Sequence, residues 1–306
     1  MSNPQLPSLH AIYAVAGDLD LLRASIASIY PDVSGITIVA GCGRDWSGQP
    51  RDSIEVCNLA FNRDLDPHEK VNLLLTNETN EARSRNRAMD VARPRQRSIR
   101  TRVQSRHDRP LLVPDYFLIV DADEIWEPGG IRALRSYMSG RRARIYRAAC
   151  SRYFRTWNYR ISGHEWATVA VRSDVRFSEL RLPPVPRVRR GLNRLTAIPP
   201  RVRSRLCGFV DIPEDVAKFH HGSYVGPRSR IAQKLTSFGH ADQVDPDWLD
   251  EVWEKFTPAM RDLNPAYPPL FPTADRIPLA ELPVTITGHN WPVGYLEPDE
   301  PPIGGY

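Results

Sequence analysis

Tyr116-Phe117-Leu118-Ile119-Val120-Asp121-Ala122-Asp123-Glu124 decides the reading of this chain. Five aromatic and β-branched or aliphatic residues follow Pro114 and end abruptly in three acids. A short, uninterrupted apolar run of this kind marks a strand buried on both faces, as in a parallel sheet. Carboxylates at the C-terminal mouth of such a strand sit where open α/β sheets bind ligands. Asp121 and Asp123 lie two apart, so on an extended chain they share a side. Two hard oxygen donors there suit Mg²⁺ or Mn²⁺ held together with phosphates. A strand running into an acidic turn and a helix start would give the same letters, and short motifs often occur by chance.

The flanking sequence supplies the sheet. Residues 10–16 (HAIYAVA) read as a first strand, and residues 19–29 (LDLLRASIASI) as a helix with Asp18 and Asp20 in its cap region. Residues 36–40 (ITIVA) form a second strand before a Gly-rich loop. Residues 53–60 read as a third strand and 71–75 (VNLLL) as a fourth. Residues 76–92 begin polar and end helical, and 129–138 follow a Pro-Gly-Gly break as a helix. This alternation predicts an α/β fold with a nucleotide site at its strand ends. Beyond residue 144 the pattern changes: strands over 144–150, 167–171 and 218–225, and helices over 228–240 and 246–256. The stretches 93–109 and 183–205 read as basic insertions. Residues 258–306 contain 11 prolines and read as an extended tail.

With 306 residues the chain suffices for one large or two small α/β domains. No apolar stretch approaches the ~20 residues of a membrane span. Met1-Ser2-Asn3-Pro4 lacks the basic and apolar regions of a signal peptide. Cys42, Cys57, Cys150 and Cys207 form no metal-ligand spacing and read as reduced thiols. The expectation is a cytoplasmic protein.

The net charge of +5 hides a partition. Residues 82–205 hold 29 Arg and 10 acids, a balance of +19, whereas residues 1–81 carry −6 and residues 206–306 carry −8. Such asymmetry points to a polyanionic partner. A genomic preference for Arg would explain the choice of Arg over Lys but not its clustering.

Four segments in this order resemble the GT-A fold glycosyltransferases, closest to the broad family-2 class: the first strand and helix, the N-E-A-R-S-R-N-R-A run of Asn80–Ala88, the strand with Asp-Ala-Asp, and the H-H-G-S-Y-V run with its helix. The resemblance covers roughly residues 10–92, 114–170 and 215–256. It implies a mixed, mainly parallel sheet flanked by helices. One catalytic domain would span 1–256, with a nucleotide-sugar half (1–125) and an acceptor half (126–256) ahead of the Pro-rich extension 257–306. It also implies a nucleotide-sugar donor, with a UDP-sugar as the expectation, and a Mn²⁺ or Mg²⁺ ion that stabilises the leaving diphosphate. Asp123 would then bind the metal directly. Asp121 would bind the ribose, or the metal through water. His221 would be the third protein ligand, with His220 as the alternative. Arg83 and Asn86 would contact the nucleotide, Asp18 would belong to the donor-binding set, and Lys234 and His240 would reach the diphosphate. Family-2 members usually carry aspartates directly after the second strand to hold the base. This chain reads Ala40-Gly41-Cys42-Gly43-Arg44-Asp45 there, so Asp45 is the substitute and the base stays open.

Glu165, in an acceptor half rich in arginine, is the candidate general base for an inverting transfer. A salt bridge to a neighbouring arginine is its plainer role. A retaining mechanism would not need it. Tyr153, Phe154, Trp157 and Tyr159 alternate with Arg152, Arg155 and Arg160, a pattern suited to stacking beside phosphates. The leading expectation for the acceptor is therefore a hydroxymethylated pyrimidine in DNA, flipped out of the duplex. A cell-envelope glycan or protein is the alternative. Two further classes remain: a haloacid-dehalogenase-type phosphatase, whose aspartates belong after the first strand, and a non-catalytic nucleic-acid-binding protein, which would leave the acidic strand end unexplained.

Overall fold

The computed structural model describes residues 6–15, 18–42, 53–78, 80–93, 114–163, 165–178, 208–237 and 241–298. Strands β1 (Leu9–Val15), β2 (Gly35–Gly41), β3 (Val71–Thr76) and β4 (Tyr116–Val120) run parallel in the order β3-β2-β1-β4. Helices α1 (Leu19–Ile29) and α3 (Glu81–Ala92) cover opposite faces, and α2 (Ile54–Ala60) precedes β3. The sheet continues past β4 into β7 (Glu165–Arg172), β6 (Ile145–Ile161), β9 (Lys218–Val225) and β5 (Glu124–Trp126), with the short β8 (Phe209–Asp211) pairing parallel to β6. β7 is antiparallel to β4, and β9 is parallel to β6. The result is a mixed α/β architecture with a mainly parallel central sheet flanked by helices, consistent with a GT-A-like fold.

The central strands explain their own composition. Leu118 and Val120 pack with Leu22 and Ile26 on the α1 side. Phe117 and Ile119 pack with Ala88 and Met89 on the α3 side. A strand buried on both faces needs apolar residues at every position. The same alternation aims the next side chain, Asp121, at α3.

Three expectations are corrected. Residues 53–60 form α2 rather than a strand: Val56 and Ala60, four apart, are its buried residues, which is helical spacing. The second of the two late helices, expected over 246–256, shrinks to a π-helical turn, Leu249–Glu254, after helix α5 (Arg228–Ser237). The tail is not simply extended. It contains β10 (Ala274–Arg276), which pairs antiparallel with the end of β6, and a short helix α6 (Val284–Thr287). Ile277, Leu282, Ile286 and Tyr295 are buried against Leu21 and Ala24 of α1 and Trp157 of β6. The prolines punctuate this wrapping; they do not hold the segment away from the core. Most of the two basic stretches, 93–109 and 183–205, lies outside the described residues.

Candidate active site

Asp121 and Asp123 sit at the C-terminal end of β4, and two later elements reach them. β9 pairs with β5 so that His221 lies opposite Glu124, and the Gly222 N–H donates to the Asp123 carbonyl at 2.9 Å. Alternation along β9 then sends the two histidines to opposite faces. His221 Nε2 is 3.2 Å from Asp123 Oδ1, and Ser223 Oγ is 2.8 Å from the same nitrogen. His220 faces away, 2.8 Å from the Tyr153 hydroxyl and 3.3 Å from Glu127. Burial pushes His220 below its ordinary value, so it is held neutral. Of the pair, His221 joins Asp123.

Gly222, between His221 and Ser223, is required sterically. A Cβ there would come within 2.6 Å of the Trp157 ring.

Helix α5 supplies the cations. Lys234 Nζ lies 2.7 Å from Asp123 Oδ2 and 2.7 Å from Asp18 Oδ2. Arg230, one turn earlier, reaches Asp18 Oδ1 at 2.6 Å and donates to the Ser223 and Val225 carbonyls. Asp18 adopts a left-handed conformation (φ 60°) ahead of α1, and its side chain makes no capping bond. It is spent on the site instead. Asp20 is bonded by the Tyr295 hydroxyl.

These contacts set the protonation states. Burial alone would raise the Asp123 carboxyl, but Lys234, His221 and Arg230 outweigh it and hold it well below the usual carboxylate range. Burial alone would lower Lys234, yet Asp123 and Asp18 hold it above its ordinary value. His221 is likewise raised by Asp123 against the pull of burial.

Asp121 has a different partner from Asp123. Arg85 Nη2 is 2.6 Å from Asp121 Oδ1, and Arg85 also pairs with Glu81 one turn back. Arg85 is completely buried. It was missed in the sequence because every arginine in E-A-R-S-R-N-R looks alike; the signal lay in register, since α3 buries Ala82, Arg85, Ala88 and Met89 at helical spacing.

Several sequence-predicted site residues are placed elsewhere. Arg83 is exposed, and its backbone N–H donates to the Asn80 cap at 2.9 Å. Asn86 is not free for a nucleotide: its amide donates to the Phe177 carbonyl at 2.8 Å and accepts the Phe177 N–H at 2.9 Å. Glu165 lies half-exposed at the start of β7 and pairs with Arg152 at 3.2 Å. Trp157 is fully buried, as are Tyr153 and Phe154, because β6 is an interior strand with both faces covered. No base can stack on Trp157. The neighbouring arginines also have partners: Arg152 lies over the Phe271 ring, Arg155 over the Trp253 ring and 3.8 Å from Glu254, and Arg160 is 3.6 Å from Glu281. Asp45 and His240 fall outside the described residues.

The donor set fits a divalent cation in chemistry. The His221 imidazole meets Asp123 Oδ1, the Ser223 hydroxyl meets Oδ2, and the Lys234 ammonium already holds Oδ2 as a cation. The fit requires that ammonium to move. Among the described residues, no three His, Cys, Asp or Glu side chains converge as a ready metal cage.

No family model matches this chain, and no curated protein matches its sequence. Among solved structures it is similar to the crystal structure of S. aureus TarS 1-349, with a TM-score of 0.39 and 9% identity over 81% of this chain and 76% of that one. At that distance the likeness assigns no function. No helix among the described residues is long and apolar enough to cross a membrane.

Proposed function

We propose that this chain is a glycosyltransferase that moves a sugar from a nucleotide-sugar, with UDP as the expected leaving group, to an acceptor hydroxyl. One observation carries the reading: a buried carboxylate, Asp123, at the C-terminal mouth of a parallel strand, facing an imidazole from β9 and an ammonium from α5. Charge grows on the diphosphate as the bond to the anomeric carbon breaks, and the electron pair leaves with it. Lys234 and Arg230 lie on one helix face and meet that charge. A Mn²⁺ or Mg²⁺ ion held by Asp123 and His221 would supply further stabilisation of the leaving group. Arg85 holds Asp121, which would take the ribose or help hold the metal through water. The acceptor oxygen forms the new bond to the anomeric carbon. In an inverting transfer its proton passes to Glu165, after the pair with Arg152 opens.

For the acceptor we infer a polyanion, with hydroxymethylated DNA the leading case. The support is charge: residues 82–205 carry +19, and 14 of their 29 arginines lie in 94–113 and 179–207, beyond the paired arginines described above. A cell-envelope glycan or protein is the second acceptor class.

The test is UDP release in Mn²⁺, across a panel of UDP-sugars, with hydroxymethylated DNA, plain DNA or no acceptor. Release dependent on the hydroxymethylated DNA, with a matching mass increase in its nucleosides, is the expected result. Release indifferent to DNA refutes that acceptor and keeps the transferase. Asp123→Ala should lose metal-dependent turnover; full activity in that variant would refute the site.

A further inference from the structure

A run of polar contacts joins the C-terminal wrap to the candidate site. The Tyr295 hydroxyl donates to Asp20 in the first turn of α1. Asp20 Oδ1 lies 4.0 Å from Arg230 Nε. Arg230 Nη2 in turn meets Asp18, which Lys234 also holds. The Arg230 side chain is only 6% exposed, so its donors need partners inside the protein. Nη1 has two, the Ser223 and Val225 carbonyls. Nε makes no hydrogen bond among the described residues, and it is the atom on which Asp20 approaches. The Asp20 side chain is 39% exposed, so without an anchor its carboxylate can turn to water.

The anchor is rigid. The Tyr295 carbonyl accepts the Trp157 N–H at 2.9 Å, and its buried ring stacks on Trp291 with centroids 5.2 Å apart. The ring also closes on Gly226, where a Cβ would come within 2.8 Å of it. The wrap therefore brings one hydroxyl to a fixed place beside α1.

We propose that Tyr295 is a positioning residue of the candidate active site: by fixing Asp20 it sets the plane of the Arg230 guanidinium, and with it the direction in which α5 presents its charge to a diphosphate. The diphosphate as the target of Arg230 rests on the nucleotide-sugar reading above. Without the hydroxyl, Asp20 swings outward and Nε loses its restraint. The guanidinium then pivots about Nη1, and part of its population no longer faces the phosphate.

The experiment measures UDP affinity by calorimetry in the full chain, Tyr295→Phe, Asp20→Asn, the double variant and Ile286→Val. Ile286→Val trims the same buried wrap without touching the hydroxyl, and costs about as much stability as losing it. It controls for a merely structural role. Tyr295→Phe and Asp20→Asn should each weaken UDP about 5-fold, within the range for residues that act through a network. The double variant should lose no more than either single one, because both cut the same path. Ile286→Val should bind as the parent does. Parental affinity in Tyr295→Phe, an equal loss in Ile286→Val, or additive losses in the double variant each overturn the proposal. A second readout needs no ligand. The ¹⁵Nε–H resonance of Arg230, assigned by its disappearance in Arg230→Lys, should shift and exchange faster with water in Tyr295→Phe but not in Ile286→Val. An unmoved resonance in Tyr295→Phe overturns the proposal as well. If that resonance moves while the full chain itself binds no UDP, the positioning role stands and the nucleotide reading falls.

Discussion

Arg85→Met tests whether Asp121 is held in place by a buried guanidinium. Arg85 is fully buried and Asp121 keeps 27% of its side-chain surface. Removing one partner of a buried ion pair costs about 3–5 kcal/mol. Two effects reduce this. Water reaches Asp121, and Arg85 Nε and Nη1 make no hydrogen bond among the described residues, a burial cost of about 1–3 kcal/mol that methionine relieves. The net loss should be about 2 kcal/mol. Asp121→Asn should cost a similar amount, because it leaves Arg85 buried with Glu81 alone. The double variant should lose less than the sum by about 2 kcal/mol, within the range for residues in contact. Urea denaturation of all four proteins measures this, provided the slopes agree. UDP affinity should fall in both single variants. Additivity within about 0.5 kcal/mol would refute the pairing and the positioning role given to Arg85.

Other outcomes follow from the geometry. His10 is pushed down to about 4 by burial, so it stays neutral in the folded chain. Its contribution is present above the ordinary histidine pKa and is lost as pH falls from about 6.5 toward 4, because the unfolded chain takes the proton first. Its Nε2 lies 2.9 Å from the Thr37 hydroxyl, a contact glutamine can keep. Between pH 7 and 5, His10→Gln should therefore lose about 2 kcal/mol less stability than the parent; identical pH slopes would contradict this. Gly222→Ala drives a methyl into the Trp157 ring and should cost about 1–3 kcal/mol, with a changed tryptophan near-ultraviolet dichroism. Unaltered stability and dichroism would show that Trp157 does not fill that space. Tyr295→Ala should cost about 3–5 kcal/mol through the cavity left against α1. Tyr295→Phe should cost only about 1 kcal/mol, the value of the bond to Asp20. Equal losses would mean that the ring does not fill that cavity.

The parallel half of the sheet was legible because β1, β2 and β4 are buried on both faces and so carry unbroken apolar runs. Asp123 was legible for the same reason: it interrupts such a run where ligands bind. The helix α2 was misread because a seven-residue segment with two buried positions has too little periodicity to distinguish a helix from a strand. His221 and His220 could not be separated until the β5–β9 register fixed which face each one takes. The aromatics of β6 misled more seriously. Alternation with arginine suggests a nucleic-acid surface, but the arginines find Glu165, Glu254 and Glu281, which sit far along the chain or on neighbouring strands. Long-range acidic partners convert the pattern into core packing, and a local reading cannot see them. Asp18 shows the reverse case: its position suggests a helix cap, and only α5, more than 200 residues later, reveals its partners.

The contact between Asp20 and Tyr295 spans 275 residues. During synthesis, the face of α1 that carries Leu21 and Ala24 emerges first and waits for Ile277, Ile286 and Tyr295 to cover it. Until then this apolar surface stays open next to Asp18, a natural point of engagement for a chaperone. Closing so large a loop is entropically only slightly worse than closing a shorter one, but it must come late and slowly. A fragment that ends before Ile277 would thus keep that face of α1 uncovered.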